Sequence, residues 1–198
     1  MKSALRLFLS ALALPALLVL GGCETAPRSQ TFPDIGFTRL APIALNVASV
    51  EVVTHYTPPF AGPNVDHLFP VPPRTVMERW GAERLRAAGS GGRARFIILN
   101  AAVVESALAT TPGIEGMVRK EEAERYDGTV EARLEIYDAA GTRMAFASAY
   151  ATRFQTVLED ASPNERHKAW FKLLDGMMAD FNQEMERAIR GQLPGVVR

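Results

Sequence analysis

The chain has 198 residues, enough for one domain with a proper core. It sets 22 basic residues against 22 acidic ones, a balance that argues against nucleic acid as a partner, which would call for a basic face. Hydrophobic residues at 47% and charged residues at 22% are ordinary globular values, and a single cysteine excludes a disulfide framework.

Residues 1–22 read as a bacterial lipoprotein signal peptide. Lys2 and Arg6 form its positive start, and an apolar run from Leu7 to Leu20 follows, bent by Pro15. That run is short of the roughly 20 residues a spanning helix needs. Leu20-Gly21-Gly22-Cys23 closes it as a lipobox, the glycines giving a signal peptidase the small side chains it must seat beside the cleaved bond. Cys23 is therefore the expected lipidation site, and the membrane is a partner through that lipid. A buried acyl chain contributes about 0.8 kcal/mol per methylene, and stable anchoring takes two or more chains. Lys2 and Arg6 leave with the signal, so the mature chain is slightly acidic and carries no polybasic second membrane signal. Glu24 follows the cysteine where an aspartate would mark inner-membrane retention in enteric bacteria. The expected address is the periplasmic face of the outer membrane, with the inner membrane left open.

Residues 23–42 mix Pro, Ser, Thr and Gly without period and read as a lipidated tether, packing near its end through Phe37 and Leu40. Residues 43–198 then form one α+β periplasmic domain. Ile43, Leu45 and Val47 alternate, and the phase shifts to Val50 and Val52, which predicts a strand with a bulge near Ala48 or Ser49. Residues 57–73 are rich in proline, which cannot donate to a ladder, so they form an ordered loop or edge segment. Phe60, Leu68 and Phe69 in this loop are candidate partner contacts; tucking over the core is the competing reading.

Thr75-Val76-Met77-Glu78 has the form of a capping box, opening a helix that runs to Ala88 and stops at Gly89. Val76, Met77, Trp80 and Leu85 share its apolar side; Arg84 falls in that arc, with its stem expected to snorkel to the rim. Residues 94–108 are apolar on both faces, as a central strand would be. A loop over 109–120 contains Thr-Thr-Pro-Gly, and residues 121–137 resume the ladder, with Val130, Ala132, Leu134 and Ile136 inward. After the Asp138 to Gly141 turn, Met144, Phe146, Tyr150 and Phe154 lie on one strand face, and Ala145, Ala147, Ala149 and Ala151 on the other. The small residues leave room for a helix. Ser162-Pro163-Asn164-Glu165 is a second capping box, with Pro at N1. It opens the longest element, ending near Gly191, whose stripe from Trp170 through Leu173, Met177, Phe181 and Met185 to Ile189 reads as core. Gly176 within it points to close packing on the sheet. The order is β-α-β-β-β-α: a two-layer sandwich with an antiparallel four-stranded sheet and two helices on one face.

Catalytic motifs are absent from the sequence. His55, His67 and His167 fall on three different elements without partners at metal-ligand spacing, and His167 reads as a solvated position. Asp127 with Glu131 or Glu135 could be named a carboxylate pair, but outward charges on an amphipathic strand are the simpler account. The run from Arg119 to Arg125 alternates sign in blocks. It reads as a solvated hairpin arm, with Arg119, Lys120 and Arg125 as candidate partner contacts if it docks. No cofactor, metal or nucleic acid is expected.

Arg125-Tyr126-Asp127-Gly128 leading into a strand, then a turn, a strand and a final amphipathic helix, resembles the auxiliary lipoproteins of ABC-type transport, the group of the paraquat-inducible C lipoprotein. The layout is also similar to the lipopolysaccharide-assembly lipoprotein that plugs an outer-membrane barrel. The proline-rich loop and the 109–120 insertion depart from the first pattern, and no functional residue carries over from either. The resemblance implies a non-enzymatic accessory module of an envelope transport or assembly complex, with a lipid ligand as a further expectation. Two alternatives stand beside it: a structural lipoprotein that touches peptidoglycan or a barrel protein, and a hydrolase with an unrecognised site.

Overall fold

The computed structural model describes residues 31–111 and 120–198. The signal peptide, Cys23, residues 24–30 and Arg119 lie outside the described residues. One compact unit runs from Phe32 to Arg198. It takes in part of the stretch expected to be tether, because residues 32–37 are anchored by their own side chains. The Phe32 ring stacks on Phe171 at 5.2 Å, and Ile35 and Phe37 are buried. The Phe37 amide donates to Glu83 at 2.5 Å, and Arg79 donates to the Ile35 carbonyl at 2.9 Å. Leu40, expected to pack beside Phe37, is exposed.

The main sheet has four strands in the order β2 (Ser49–Thr54), β4 (Arg93–Ala107), β5 (Glu122–Tyr137), β6 (Arg143–Leu158). Two helices, α1 (Pro73–Arg84) and α2 (Pro163–Gln192), cover one face. The expected α+β sandwich is present, with one change of direction. β4, β5 and β6 are antiparallel neighbours, but β2 runs parallel to β4, from Ser49 opposite Arg93 to Thr54 opposite Ile98. A helix between two adjacent strands makes a crossover, which returns the chain in the same direction.

The phase change at Ala48 is not a bulge within one strand. β1 (Ile43–Leu45) pairs parallel with β3 (Leu85–Ala87) in a small separate sheet, and the chain then passes to the main one. Each phase serves a different set of partners. Leu85 to Ala87, expected as helix, is therefore strand. Its backbone finds a ladder beside Ile43 and Leu45, and Leu85 is buried there.

The start of α1 also differs. Its N-cap is Pro72, no side chain caps it, and Pro73 at N1 supplies a preset φ. Thr75 sits inside the first turn, and Glu78 faces Arg74 at 3.6 Å on the surface, so the Thr75/Glu78 capping box does not form. Arg84 does not snorkel: it is 1% exposed. Its Nε donates to Asn182 Oδ1 at 3.1 Å, Nη2 meets Glu186 at 2.6 Å, and Nη1 donates to the Ala41 carbonyl. Trp80 Nε1 shares the Asn182 oxygen at 2.9 Å. A buried guanidinium is tolerated only when its donors are matched, and here they tie α1 to α2 and to the segment before β1.

In α2 the capping box forms as read. The Glu165 amide donates to Ser162 Oγ at 3.3 Å, and the Ser162 amide donates to Glu165 at 2.8 Å. Every apolar residue of the stripe from Trp170 to Ile189 named above is buried. Phe181 meets Trp80 edge-on at 5.4 Å, and Trp80 lies 5.1 Å from Phe96, so both helices share one core above the sheet. Gly128 on β5 lets α2 approach closely, since a Cβ there would stand 2.9 Å from the Met177 sulfur. Gly176 lies against the Arg153 guanidinium, which reaches up from β6 to Asp180 at 3.0 Å. The close contact expected at that glycine is thus with a strand side chain. Ala147, Ala149 and Ala151 of β6 are buried under α2, and Met144, Phe146, Tyr150 and Phe154 project from the opposite face.

Candidate functional site

β2 ends opposite Ile98, and a bulge between Ile98 and Asn100 marks where β4 continues without it. The proline-rich loop takes over that edge. The Val65 amide donates to the Val103 carbonyl and the Glu105 amide to the Pro63 carbonyl, each at 2.9 Å, with Asn64 bridged to Val104 between them. Register then carries this position across the sheet: Val104 stands opposite Asp127, and Asp127 opposite Phe154. The loop, the arm of β5 around Arg125 and the far half of β6 therefore share one end of the sheet. Candidates far apart in sequence are gathered there.

Within the loop the three apolar candidates separate. Phe69 is 4% exposed and stacks on Trp170 at 4.8 Å, so it is core and not a partner contact. Phe60 is 68% exposed and Leu68 is 54% exposed. Phe60 is, among the described residues, the one non-glycine with positive φ, at 54°. An aromatic side chain in that region costs of order 1–2 kcal/mol, and such strain persists only where the surroundings hold it. Its ring lies 5.5 Å from that of His67. Asp66, the neighbour of His67 in the chain, is buried at 2% exposure, and its charge acts on the Tyr56 hydroxyl. Burial and that carboxylate together push the Tyr56 phenol well above its usual range.

Arg125-Tyr126-Asp127-Gly128 alternates across the sheet. Tyr126 is fully buried and donates to Glu124 at 2.5 Å; Glu124 in turn accepts from Arg166 of α2 at 2.7 and 3.0 Å. Burial pushes Glu124 upward, but the Arg166 and Tyr126 bonds outweigh it and hold the carboxyl below its usual range. On the open face Arg125 pairs with Asp127 at 2.7 Å and lies over the Phe154 ring at 4.1 Å. Lys120 is exposed and reaches Asp160 at 2.7 Å. The supposed carboxylate pair is likewise occupied. Asp127 holds Arg125, and Glu135 accepts from the Tyr137 hydroxyl at 2.6 Å and from Arg143 at 2.8 Å. The Tyr137 bond, opposed by burial and helped by Arg143, keeps Glu135 below the usual carboxylate range.

His167, expected in solvent, is half-buried with its ring 5.5 Å from Trp170. Among the described residues no group of three His, Cys, Asp or Glu could hold a metal, and no helix is long and apolar enough to cross a membrane. A cleft of about 910 Å³ opens between residues 33–40 and the two helices, with Arg79 and Glu83 on its wall. Both are engaged by the backbone of Ile35 and Phe37. The sequence carries no local sign of this cleft, because it exists only once residues 32–40 fold back on the helices.

No family model matches the chain, and no curated protein does. Among solved structures it is similar to a minor lipoprotein from Acinetobacter baumannii, at 12% identity over 77% of this chain and 96% of that one, with a TM-score of 0.41. A likeness at that level carries no argument about function.

Proposed function

We propose that the protein is a lipid-anchored envelope lipoprotein, held by an acylated Cys23 on the periplasmic side of the outer membrane. It acts as a non-enzymatic accessory module of a transport or assembly complex. The observation that supports this reading is the gathering of Phe60, Leu68, Lys120 and Arg125 at one end of the sheet. Exposed aromatic and aliphatic side chains beside the ion pairs Lys120–Asp160 and Arg125–Asp127 suit a protein partner with an apolar centre and a polar rim. The strained Phe60 backbone fits the same role, since it holds a large ring outward where solvent alone would not favour it.

The test is photo-crosslinking in cells from positions 60 and 68, with position 40 as an exposed control elsewhere. The expected result is one shared protein adduct from both loop positions and none from the control. Acyl labelling of the wild type, lost in Cys23→Ser, checks the anchor. Adducts only to peptidoglycan would support a structural role in place of the accessory one; no adduct from either loop position would end both.

A further inference from the structure

Among the described residues β6 is an edge strand, bonded to β5 on one side only. It is 16 residues long, contains no proline, and carries charge only at Arg143 and Arg153. Natural edge strands are blunted by charges, prolines, bulges or brevity; β6 has a bulge at Met144 and a charge at Arg153, and between them, from Ala145 to Thr152, it has none of these and invites another strand. The side chains on its open face read Phe146, Ser148, Tyr150, Thr152, Phe154. That order is the same in character from either end: aromatic, small hydroxyl, aromatic, small hydroxyl, aromatic.

We infer that this edge pairs with the same edge of a second copy, antiparallel, about a two-fold axis at Tyr150. In that register Tyr150 faces its own equivalent, Phe146 faces Phe154, and Ser148 faces Thr152. Aromatic pairs and hydroxyl pairs are favoured cross-strand neighbours. On the helix side Ala149 faces Ala151, and Ala147 faces Arg153, which Asp180 of its own copy holds at 3.0 Å. A shift by one residue would set the aromatic row of one copy against the alanine row of the other, which fixes the register. An isologous contact of this kind needs a self-complementary patch, and the palindromic row supplies it.

The helix above does not close the edge. A notch of about 300 Å³ lies between Ser148, Ala149 and Tyr150 of β6 and the C-terminal part of α2. α2 borders it with Ala188 and Gly191 and with Glu184, Arg187 and Gln192. Arg187 and Glu184 pair with each other at 2.6 Å, and in a two-fold pair each lies across from its counterparts on the second α2. Phe146, Tyr150 and Phe154 are each about half exposed in the single copy. Pairing sets those rings flank to flank and satisfies the free backbone groups of the edge. The inference stands apart from the lipid on Cys23; it meets the proposed patch at one point, where Arg125 lies over the Phe154 ring at 4.1 Å.

The test uses the full chain extracted from membranes in mild detergent. Tyr150→Cys places two thiols on the axis and is expected to give a disulfide-linked dimer under mild oxidation, lost on reduction. The unaltered chain controls for Cys23. Met144→Cys on the same face is the register control: its two copies would lie more than about 30 Å apart, so no dimer band is expected. Ser148→Cys combined with Thr152→Cys gives a second route to the same dimer while keeping the central tyrosine. Light scattering should return twice the monomer mass for the wild type and the monomer mass for Tyr150→Arg. Equal crosslinking from positions 144 and 150, a monomeric wild type, or disulfide capture of a different protein by the Tyr150→Cys variant would overturn the pairing.

Discussion

The two faces of β6 divide its residues against simple hydrophobic ranking. Ala147, Ala149 and Ala151 are buried and Ala145 partly so, and the larger Met144, Phe146, Tyr150 and Phe154 stand in solvent. The reason lies in the opposing layer. α2 brings Trp170, Met177, Phe181 and Met185 down onto the sheet, and those side chains already fill the gap. A strand beneath such a helix has room only for methyl groups, so its large residues go to the other side. Burial on a sheet is thus decided by the volume left by the layer above, more than by the polarity of the strand itself.

The helix side should be the sensitive one. Trp80→Ala removes the side chain that joins Phe96 and Phe181 and leaves Asn182 short of a donor; about 3–5 kcal/mol should be lost, read from the denaturant midpoint. Ala149→Leu tests the volume argument directly. Overpacking beneath α2 should cost about 1–3 kcal/mol although the new residue is more apolar. A better hydrophobic residue that stabilised the fold would break the comparison. Ser162→Ala, which removes the cap of α2 without touching either face, should cost about 1 kcal/mol.

Acid should act through both sides together. Glu135 and Glu124 are held below their usual range in the fold. The unfolded chain takes up their protons first as pH falls, so their stabilisation is present above about pH 4.5 and lost below it as the folded groups protonate. Thermal melts between pH 6 and pH 3 should show a steeper decline for the wild type than for Glu135→Gln. Least of all, Met144→Thr on the open face should change stability by under about 0.5 kcal/mol.

What can be read from the sequence follows the range of the forces involved. The start of α2 is legible because Ser162 and Glu165 satisfy each other within one turn. The alternation of β5 and β6 is legible because period two is local. The start of α1 misleads because a threonine followed three residues on by a glutamate gives the same pattern whether or not it sits at the helix end; Pro73 at N1 is the better signal. Leu85 to Ala87 fits a helix as readily as a strand, and only the distant Ile43 to Leu45 segment decides it. Arg84 depends on Ala41, Asn182 and Glu186, three separate stretches that no window contains. The parallel direction of β2 is deducible from the strand-helix-strand order alone. Within the loop, nothing in the adjacent pair Leu68-Phe69 says which one points inward; the presence of Trp170 does.

The loop that fills the edge of β4 beyond β2 has one more effect. With Pro63 to Val65 seated there, that margin of the sheet offers a partner six residues of β2 followed by a segment that cannot keep up a ladder. The two margins are therefore unequal, sixteen residues of β6 against six of β2. Under the inferred pairing the sheet has one long side and one short one, and the prolines keep the short side from lengthening.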